Sequence, residues 1–478
     1  MYPSELHEFD ELYAVSDLHL GGEDRFPIFT EAAGKAFRAF CERIGKTTKR
    51  TAFVVNGDLV DFLAEKDARY FDPSSAADKL GRIAGDRAFK PVFEGLSAIT
   101  ASPHCHMAIT IGNHDIELAL PWVQEKLVSL VAASAEARAR VTLSLDGTGY
   151  RCKVGGTRVV CIHGNDVDYW NLNDYEAIRR AKRRRNFGAA PLEWVPNAGT
   201  KLVVDVMNQL KREYSFVNLL KPEIPAVVPI LVALDPAIEG LARSAAQIAG
   251  KLAWDFSRHK ADLLGETPTL RSEPDEALLA MHQAAQPFQS QRSAAEILTE
   301  TERRFEEQVD PYSLASDADE QLGYIRSAYE WFRGNPSEAA REALERLAGE
   351  KSFEMGHEDA QAKALDQLIG AGASVVIAGH THLERSHGRK DGGWYLNSGT
   401  WTQLMRVEKK HWETSKGFEP LWVAITRGSP DALKNFVKET RTIAAVRSSG
   451  RGVTAALLHI DDAGAETVVA GSSQRVAG

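Results

Sequence analysis

Residues able to do chemistry gather in five short stretches, each closing an apolar, β-branched run. In order they are Asp17-Leu18-His19, Asn56-Gly57-Asp58-Leu59-Val60-Asp61, Gly112-Asn113-His114-Asp115, His163-Gly164-Asn165-Asp166 and Gly379-His380-Thr381-His382. Asp17, His19, Asp58, Asn113, His163, His380 and His382 offer oxygen and nitrogen donors with no thiolate among them. Such a set suits a pair of first-row divalent ions and not a structural zinc site. Residues i and i+2 of an extended segment face the same way, so Asp17 and His19 can converge on one point. Taken singly, each stretch has a plainer reading, since turns after strands favour Gly and Asp and a lone histidine is more often structural. His104 and His106 are of that plainer kind, fitting a strand entry with no motif around them. What points to a shared site is recurrence at five strand ends, because α/β proteins build sites at the carboxyl edge of their strands.

Those loops need strands to carry them. Apolar runs predict strands over residues 12–16, 51–56 and 106–111, with helices over about 30–44 and 75–100 between them, the spacing of βαβ units. Strands over 141–145, 150–154 and 157–162 follow, and Asp146-Gly147 and Gly155-Gly156 read as hairpin signals that make the sheet mixed. From 170 to 372 helical periodicity dominates, notably over 293–307, 319–332, 337–348 and 358–369. Strand texture returns over 374–378, 394–397, 401–407 and 421–426, and a closing hairpin over 455–460 and 466–470 precedes a frayed end. The expected organisation is a core in two parts, 1–169 and 373–470, a mostly helical insertion or cap at 170–372, and a tail at 471–478.

The 478 residues carry a formal charge of −9, with 44% hydrophobic and 26% charged residues, which argues against a dedicated nucleic-acid coat. The acidic opening stretch lacks the basic and apolar regions of a secretory signal, and the four cysteines lack CxxC spacing. A cytoplasmic protein with reduced, buried thiols is expected. The apolar stretch 224–238 is broken by Pro225, Pro229 and Pro236 and is too short to span a bilayer. With the residues from 216 onward it reads as core, or as an apolar groove or membrane-surface contact for an amphiphilic substrate. The basic run Arg179-Arg180-Ala181-Lys182-Arg183-Arg184-Arg185 reads as a solvated helix face, or as an anion grip beside the site through Arg179, Arg180 and Arg183.

Asp17-x-His19, Gly57-Asp58-x-x-Asp61, Gly112-Asn113-His114-Asp115, His163-Gly164 and Gly379-His380-x-His382 together resemble, in order, the signature of the calcineurin-like metallophosphoesterases. The resemblance covers roughly residues 12–166 and 374–426. It implies an α/β fold, a four-layer αββα sandwich of mixed sheets here carrying a large helical insertion, and a metal-dependent hydrolase of phosphoric ester or anhydride bonds. It also implies two divalent ions bridged by Asp58, with manganese first and iron, zinc or cobalt as alternatives. Asp17, His19 and His382 would complete one metal site, and Asn113, His163 and His380 the other. His114 would face the substrate, protonating or electrostatically stabilising the leaving oxygen, with Asp61 as the carboxylate that orients it. Asp115 reads as a turn residue.

The protein-phosphatase branch usually reads GDxxDRG and GNHE, whereas Phe62 and Leu63 follow Asp61 here and Asp115 follows His114. Three segments instead resemble the bacterial UDP-2,3-diacylglucosamine hydrolase-like branch. They are Ser16-Asp17-Leu18-His19-Leu20-Gly21, the His163 loop with Asp168 and Asn171, and Asn397-Ser398-Gly399-Thr400-Trp401. His114 stands where that branch commonly carries Arg, and the insertion is much longer. The expected substrate is a phosphodiester or pyrophosphate, nucleotide-linked or amphiphilic. A nuclease or cyclic-nucleotide phosphodiesterase using residues 179–185, and a non-catalytic scaffold of the same fold, are the competing readings.

Overall fold

Successive side chains of a strand point to opposite faces, and the central strands of this protein are apolar on both. The computed structural model describes residues 6–22, 28–168, 171–189, 194–213, 215–219, 337–338, 340–341, 354–390, 392–405, 409–427, 430–450 and 452–477. The strands are β1 (Glu8–Phe9), β2 (Glu11–Val15), β3 (Thr51–Asn56), β4 (Cys105–Thr110), β5 (Val141–Ser144), β6 (Tyr150–Val154), β7 (Thr157–Cys161) and β8 (Val375–Ala378). They continue as β9 (Glu384–Gly388), β10 (Trp394–Ser398), β11 (Gln403–Met405), β12 (Val437–Glu439), β13 (Thr442–Ser448), β14 (Gly452–Ile460), β15 (Glu466–Val468) and β16 (Gln474–Ala477). One eight-stranded sheet has the order β15-β14-β13-β2-β3-β4-β5, with β16 also on β14; a six-stranded sheet has the order β1-β6-β7-β8-β10-β9.

Burial assigns the layers. Tyr13, Val15, Phe53, Val55, Met107 and Ile109 face one way, into a core shared with the helices α1 (Glu31–Ile44), α2 (Ala76–Gly85), α3 (Lys90–Ala101) and α4 (Pro121–Val131). Their neighbours Leu12, Ala14, Ala52, Val54 and Ala108 face the other way, onto Cys152, Val159, Cys161, Val375 and Ile377 of the six-stranded sheet. That sheet turns Val160, Val376 and Ala378 outward against Ala362 and Leu365 of the helix Ala360–Ile369. Helix, sheet, sheet and helix make the expected four-layer sandwich, with both sheets mixed. No helix among the described residues is long and apolar enough to cross a membrane.

Several expectations are corrected. The helix expected over 75–100 is two, α2 and α3, which part where Gly85 closes α2 and Pro91 opens α3. Gly155-Gly156 does close a hairpin between β6 and β7, but Asp146-Gly147 does not, because β5 lies in one sheet and β6 in the other. The strand expected over 421–426 is part of the helix Ser415–Arg427. Its buried residues Phe418, Leu421, Ala424 and Ile425 follow a three-to-four spacing that a short apolar run conceals. The expected tail is partly a strand, since β16 pairs antiparallel with β14 from Gly452↔Ala477 to Ala455↔Gln474. Helices expected over 293–307 and 319–332, most of 337–348 and the apolar stretch 224–238 lie outside the described residues.

Glu117, just beyond the His114 loop, is buried. Its Oε1 accepts the Asp72 N–H at 2.9 Å, while Oε2 has no hydrogen-bond partner. Burial pushes its carboxyl up to about 7. The folded protein therefore keeps a proton that the unfolded chain releases near pH 4, and stability falls as pH rises through about 7. Glu117→Gln removes that ionisation. Relative to wild type, the variant should gain on the order of 3 kcal/mol between pH 4 and pH 8, read from urea unfolding at each pH.

Candidate metal centre

β2, β3 and β4 run parallel, so their carboxyl ends finish at one edge. β7 and β8 are parallel too, and their ends reach the same edge through one buried residue. The Asn56 amide donates to the carbonyls of Ile162 (3.0 Å) and Ile377 (3.3 Å), and the Asn56 carbonyl accepts from His163 Nδ1 at 2.9 Å. The loops are then joined through main chain: Asp17 N–H to Gly57 O at 3.2 Å, His19 N–H to Asp58 O at 3.0 Å, and Gly379 N–H to His163 O at 2.9 Å.

This close assembly bends the backbone. Asp17, His19, Asp58, His380 and His382 have φ of 55°, 44°, 49°, 71° and 61°, a left-handed region that residues with a Cβ seldom enter. Among the described residues the one other such case is Asp67. Conformations of this sort persist where surroundings over-determine them, and they cluster at functional sites. Two positions require glycine for contact distance. A Cβ at Gly57 would lie 2.4 Å from His163 Nδ1, and one at Gly112 would lie 2.1 Å from Asp58 Oδ1.

All seven donors read from the sequence come together. The Asp17 carboxylate accepts the His380 N–H (3.1 and 2.9 Å) and lies 3.3 Å from His382 Nε2 and 3.8 Å from His19 Nε2. Those two imidazole nitrogens are 2.9 Å apart. Asp58 is central: Oδ2 is 3.6 Å from His19 Nε2 and 3.2 Å from His163 Nε2, and Oδ1 accepts the His114 N–H at 2.9 Å. Asn113 Oδ1 stands 3.1 Å from His380 Nδ1. Ligand atoms of Asp17, His19 and His382, of Asp17, Asp58 and His163, and of His19, Asp58 and His114 lie within 4.8 Å of one another in each group.

His114 is the most solvent-facing imidazole of that last group, its side chain 18% exposed against 3% for His19. Its Nδ1 lies 3.1 Å from Asp61 Oδ1, and its ring stands edge-on to His19 with centroids 4.7 Å apart. The other Asp61 oxygen is 3.4 Å from His19 Nδ1, so one carboxylate serves both rings. The N–H groups of Leu63 and Ala64 hold Asp61 Oδ1 in place at 3.0 Å each. Asp115 turns away from this cluster and accepts from the main chain of Leu59 (2.9 Å) and Gly112 (2.8 Å), tying two loops together.

Electrostatics separate the acids by task. Burial opposes ionisation of Asp17, Asp58 and Asp61, yet the surrounding histidines hold all three carboxyls below their ordinary range. Burial, reinforced by the Asp58 charge, instead pushes Asp115 up to about 7. Burial likewise opposes charging His19 and His163, but the carboxylates around them outweigh it and push both up to about 10. So much concentrated negative charge calls for cations. The donor atoms make the same demand: in the neutral ring that metal binding requires, His163 Nδ1 donates to Asn56, the lone pair on Nε2 lies against an Asp58 carboxylate oxygen, and Nε2 has no hydrogen-bond partner. Two acceptors face each other there, an arrangement that a metal ion between them satisfies.

The arginines are placed differently. On the helix Tyr175–Asn186, Arg179 pairs with Glu176 and Arg180 lies 3.6 Å from Asp174, while Arg183 is exposed. The start of that helix is nonetheless fixed to the site, through Asn173 Nδ2 to Gly112 O at 3.0 Å and the Tyr175 hydroxyl to Asp166 at 3.1 Å. Sequence reasoning assigned no task to Asn56, nor to Asn397, whose amide donates to Gly379 O at 2.7 Å, nor to Thr400, whose hydroxyl donates to Asp17 O at 2.6 Å. Each was visible as a polar residue inside or beside a motif. Its three-dimensional partner was not.

Fold and site thus define an α/β sandwich with a buried Asp/His/Asn cluster at the strand ends, able to hold metal. Residues 11–221 match the family model described as calcineurin-like phosphoesterase, and a domain of that family implies metal-dependent hydrolysis of phosphoesters. The Gly379-His380-Thr381-His382 loop lies beyond the matched residues, yet the structure sets it against Asp17 and His19. No curated protein matches the chain.

Proposed function

We propose that this protein is a dinuclear-metal phosphoesterase that cleaves a phosphodiester or pyrophosphate bond in a nucleotide-linked or amphiphilic molecule. The observation that carries the reading is the convergence of seven metal-type donors, Asp58 among them, from five separate loops. Asp17, His19 and His382 would hold one ion and Asn113, His163 and His380 the other, with Asp58 shared and manganese the metal. When bound, two such ions supply an acidified water as nucleophile and positive charge against the phosphoryl oxygens. The chain's own contribution is positional. Strained loops fix the donors, Asp61 keeps the His114 imidazole aimed, and His114, at the open side, gives a proton or positive charge to the leaving oxygen.

Within the phosphoesterases, the Ser16–Gly21 stretch, Asp168, Asn171 and the segment from Asn397 to Trp401 support a reading close to the UDP-2,3-diacylglucosamine hydrolase-like branch. Residues 170–372 act as an insertion within the core. In support, β7 pairs directly with β8 although more than two hundred residues separate them. Arg179, Arg180 and Arg183 grip the phosphate-bearing substrate. Replacing Arg180 and Arg183 by Ala should raise KM roughly 10–100-fold with kcat little changed, the equivalent of about 1.5–3 kcal/mol of charge-assisted hydrogen bonding. Unchanged kinetics would make them surface decoration. The reading as a whole is tested by activity of the manganese-loaded protein on model mono- and diesters, nucleotide-sugar pyrophosphates, cyclic nucleotides and single-stranded DNA. Turnover of diesters or pyrophosphates supports it, and cleavage of DNA alone replaces it with a nuclease.

A further inference from the structure

The structure assigns Asp168 and Asn171 as positioning residues for two of the proposed metal ligands, His380 and Asn113, which they orient through one hydrogen-bonded circuit. His380 Nε2 lies 2.8 Å from Asp168 Oδ2, and the same oxygen accepts from Asn171 Nδ2 at 2.7 Å. Asn171 Oδ1 in turn accepts from Asn113 Nδ2 at 3.4 Å. The circuit is held by a local turn, in which the Asp168 N–H donates to Asn165 O (3.1 Å), the Asn171 N–H to Asp168 O (3.0 Å), and Asn165 Nδ2 to Asn171 O (3.1 Å).

The direction of each hydrogen bond follows from donor chemistry. A carboxylate can only accept, so His380 Nε2 carries the proton and, in the neutral ring, Nδ1 carries the lone pair. That lone pair faces Asn113 Oδ1 at 3.1 Å. Asn113 is fixed in the same way: its NH2 group is committed to Asn171, which turns Oδ1 toward His380. Two acceptor atoms are thereby presented side by side, 3.1 Å apart. The single carboxylate of Asp168 sets the tautomer of one donor directly, and through Asn171 it sets the amide orientation of the other. Carboxylate partners of ligating histidines are worth about 10–100-fold in metal affinity.

This inference rests on the proposal that His380 and Asn113 hold an ion, and one experiment separates the two. Manganese binding to the full chain is measured by calorimetry and elemental analysis for wild type, Asp168→Ala, Asn171→Ala, His380→Ala and the double variant Asp168→Ala/His380→Ala. The expected result is two ions on wild type. In Asp168→Ala the first ion should bind as before and the second about 10–100-fold more weakly, with a smaller loss for Asn171→Ala. In the His380→Ala background, Asp168→Ala should cost less than it does in wild type, because the part of its effect that runs through that imidazole is already lost and only the part through Asn171 and Asn113 is left; a loss that simply adds would show a general structural role and overturn the assignment. Asp168→Asn, isosteric and able to keep the turn, should weaken the second ion in the same direction, and it carries the test if the alanine variant does not fold. Two ions on wild type with unchanged affinities in Asp168→Ala or Asp168→Asn overturn the assignment alone. Fewer than two ions on wild type overturn the dinuclear reading and this inference with it.

Discussion

Asp58→Asn is expected to abolish turnover and to strip metal from both sites while leaving the fold in place. Asp58 is buried, with one oxygen between His19 Nε2 at 3.6 Å and His163 Nε2 at 3.2 Å. Its other oxygen accepts the His114 N–H. An asparagine has the same shape and can keep that last bond through its carbonyl, so the loop geometry survives. It cannot supply the negative charge the neighbouring imidazoles now feel, and its amide nitrogen would replace one of the oxygens offered to the cations. Loss of a single preorganised stabilising group typically costs about 10²–10³ in rate, and with Asp58 in the proposed shared position both sites would lose a ligand at once. Elemental analysis after dialysis, with a melting curve to confirm folding, reads the outcome. Retention of two ions by Asp58→Asn would mean that the carboxylate does not bridge.

His114→Ala should separate chemistry from metal binding. Both ions should stay bound while turnover falls by roughly 10²–10⁴, the range for removing a positioned proton donor. The imidazole is the solvent-facing member of its group and is held by Asp61, which argues for a task toward substrate. Geometry does offer the other outcome, since ligand atoms of His19, Asp58 and His114 lie within 4.8 Å of one another. If the alanine variant loses an ion, His114 is a ligand and its proposed role is wrong. The effect should also depend on the substrate: an ester with a good leaving group, which needs no proton, should suffer less than one with a poor leaving group.

The convergence of the candidate ligands was legible in the sequence because their motifs are short-range features. Asp17-x-His19, Gly57-Asp58 and Gly379-His380-x-His382 each announce a donor at a strand end, and a buried parallel strand such as β3 reads plainly as an apolar, β-branched run. The supporting residues were hidden because their meaning is long-range. Asn56 joins two sheets through carbonyls 106 and 321 residues away along the chain. Asp168 meets His380 across 212 residues. The same limit explains the fold-level errors. Turn chemistry at Asp146-Gly147 is equally good for a hairpin or for a passage between sheets, and β16 is defined by its pairing with β14 more than by its own composition. In Ser415–Arg427, helical and extended readings of a six-residue apolar run are separable only once the buried stripe is seen.

The cluster around Asp58 is proposed here as a two-ion hydrolytic centre. The most direct test is to titrate metal-free protein with manganese while following ions bound per chain and hydrolysis of an activated phosphodiester in the same samples. A two-ion centre should saturate at two ions, with hydrolysis appearing as the second site fills and disappearing on chelation. Saturation below two ions per chain, or hydrolysis that survives complete removal of metal, would contradict it.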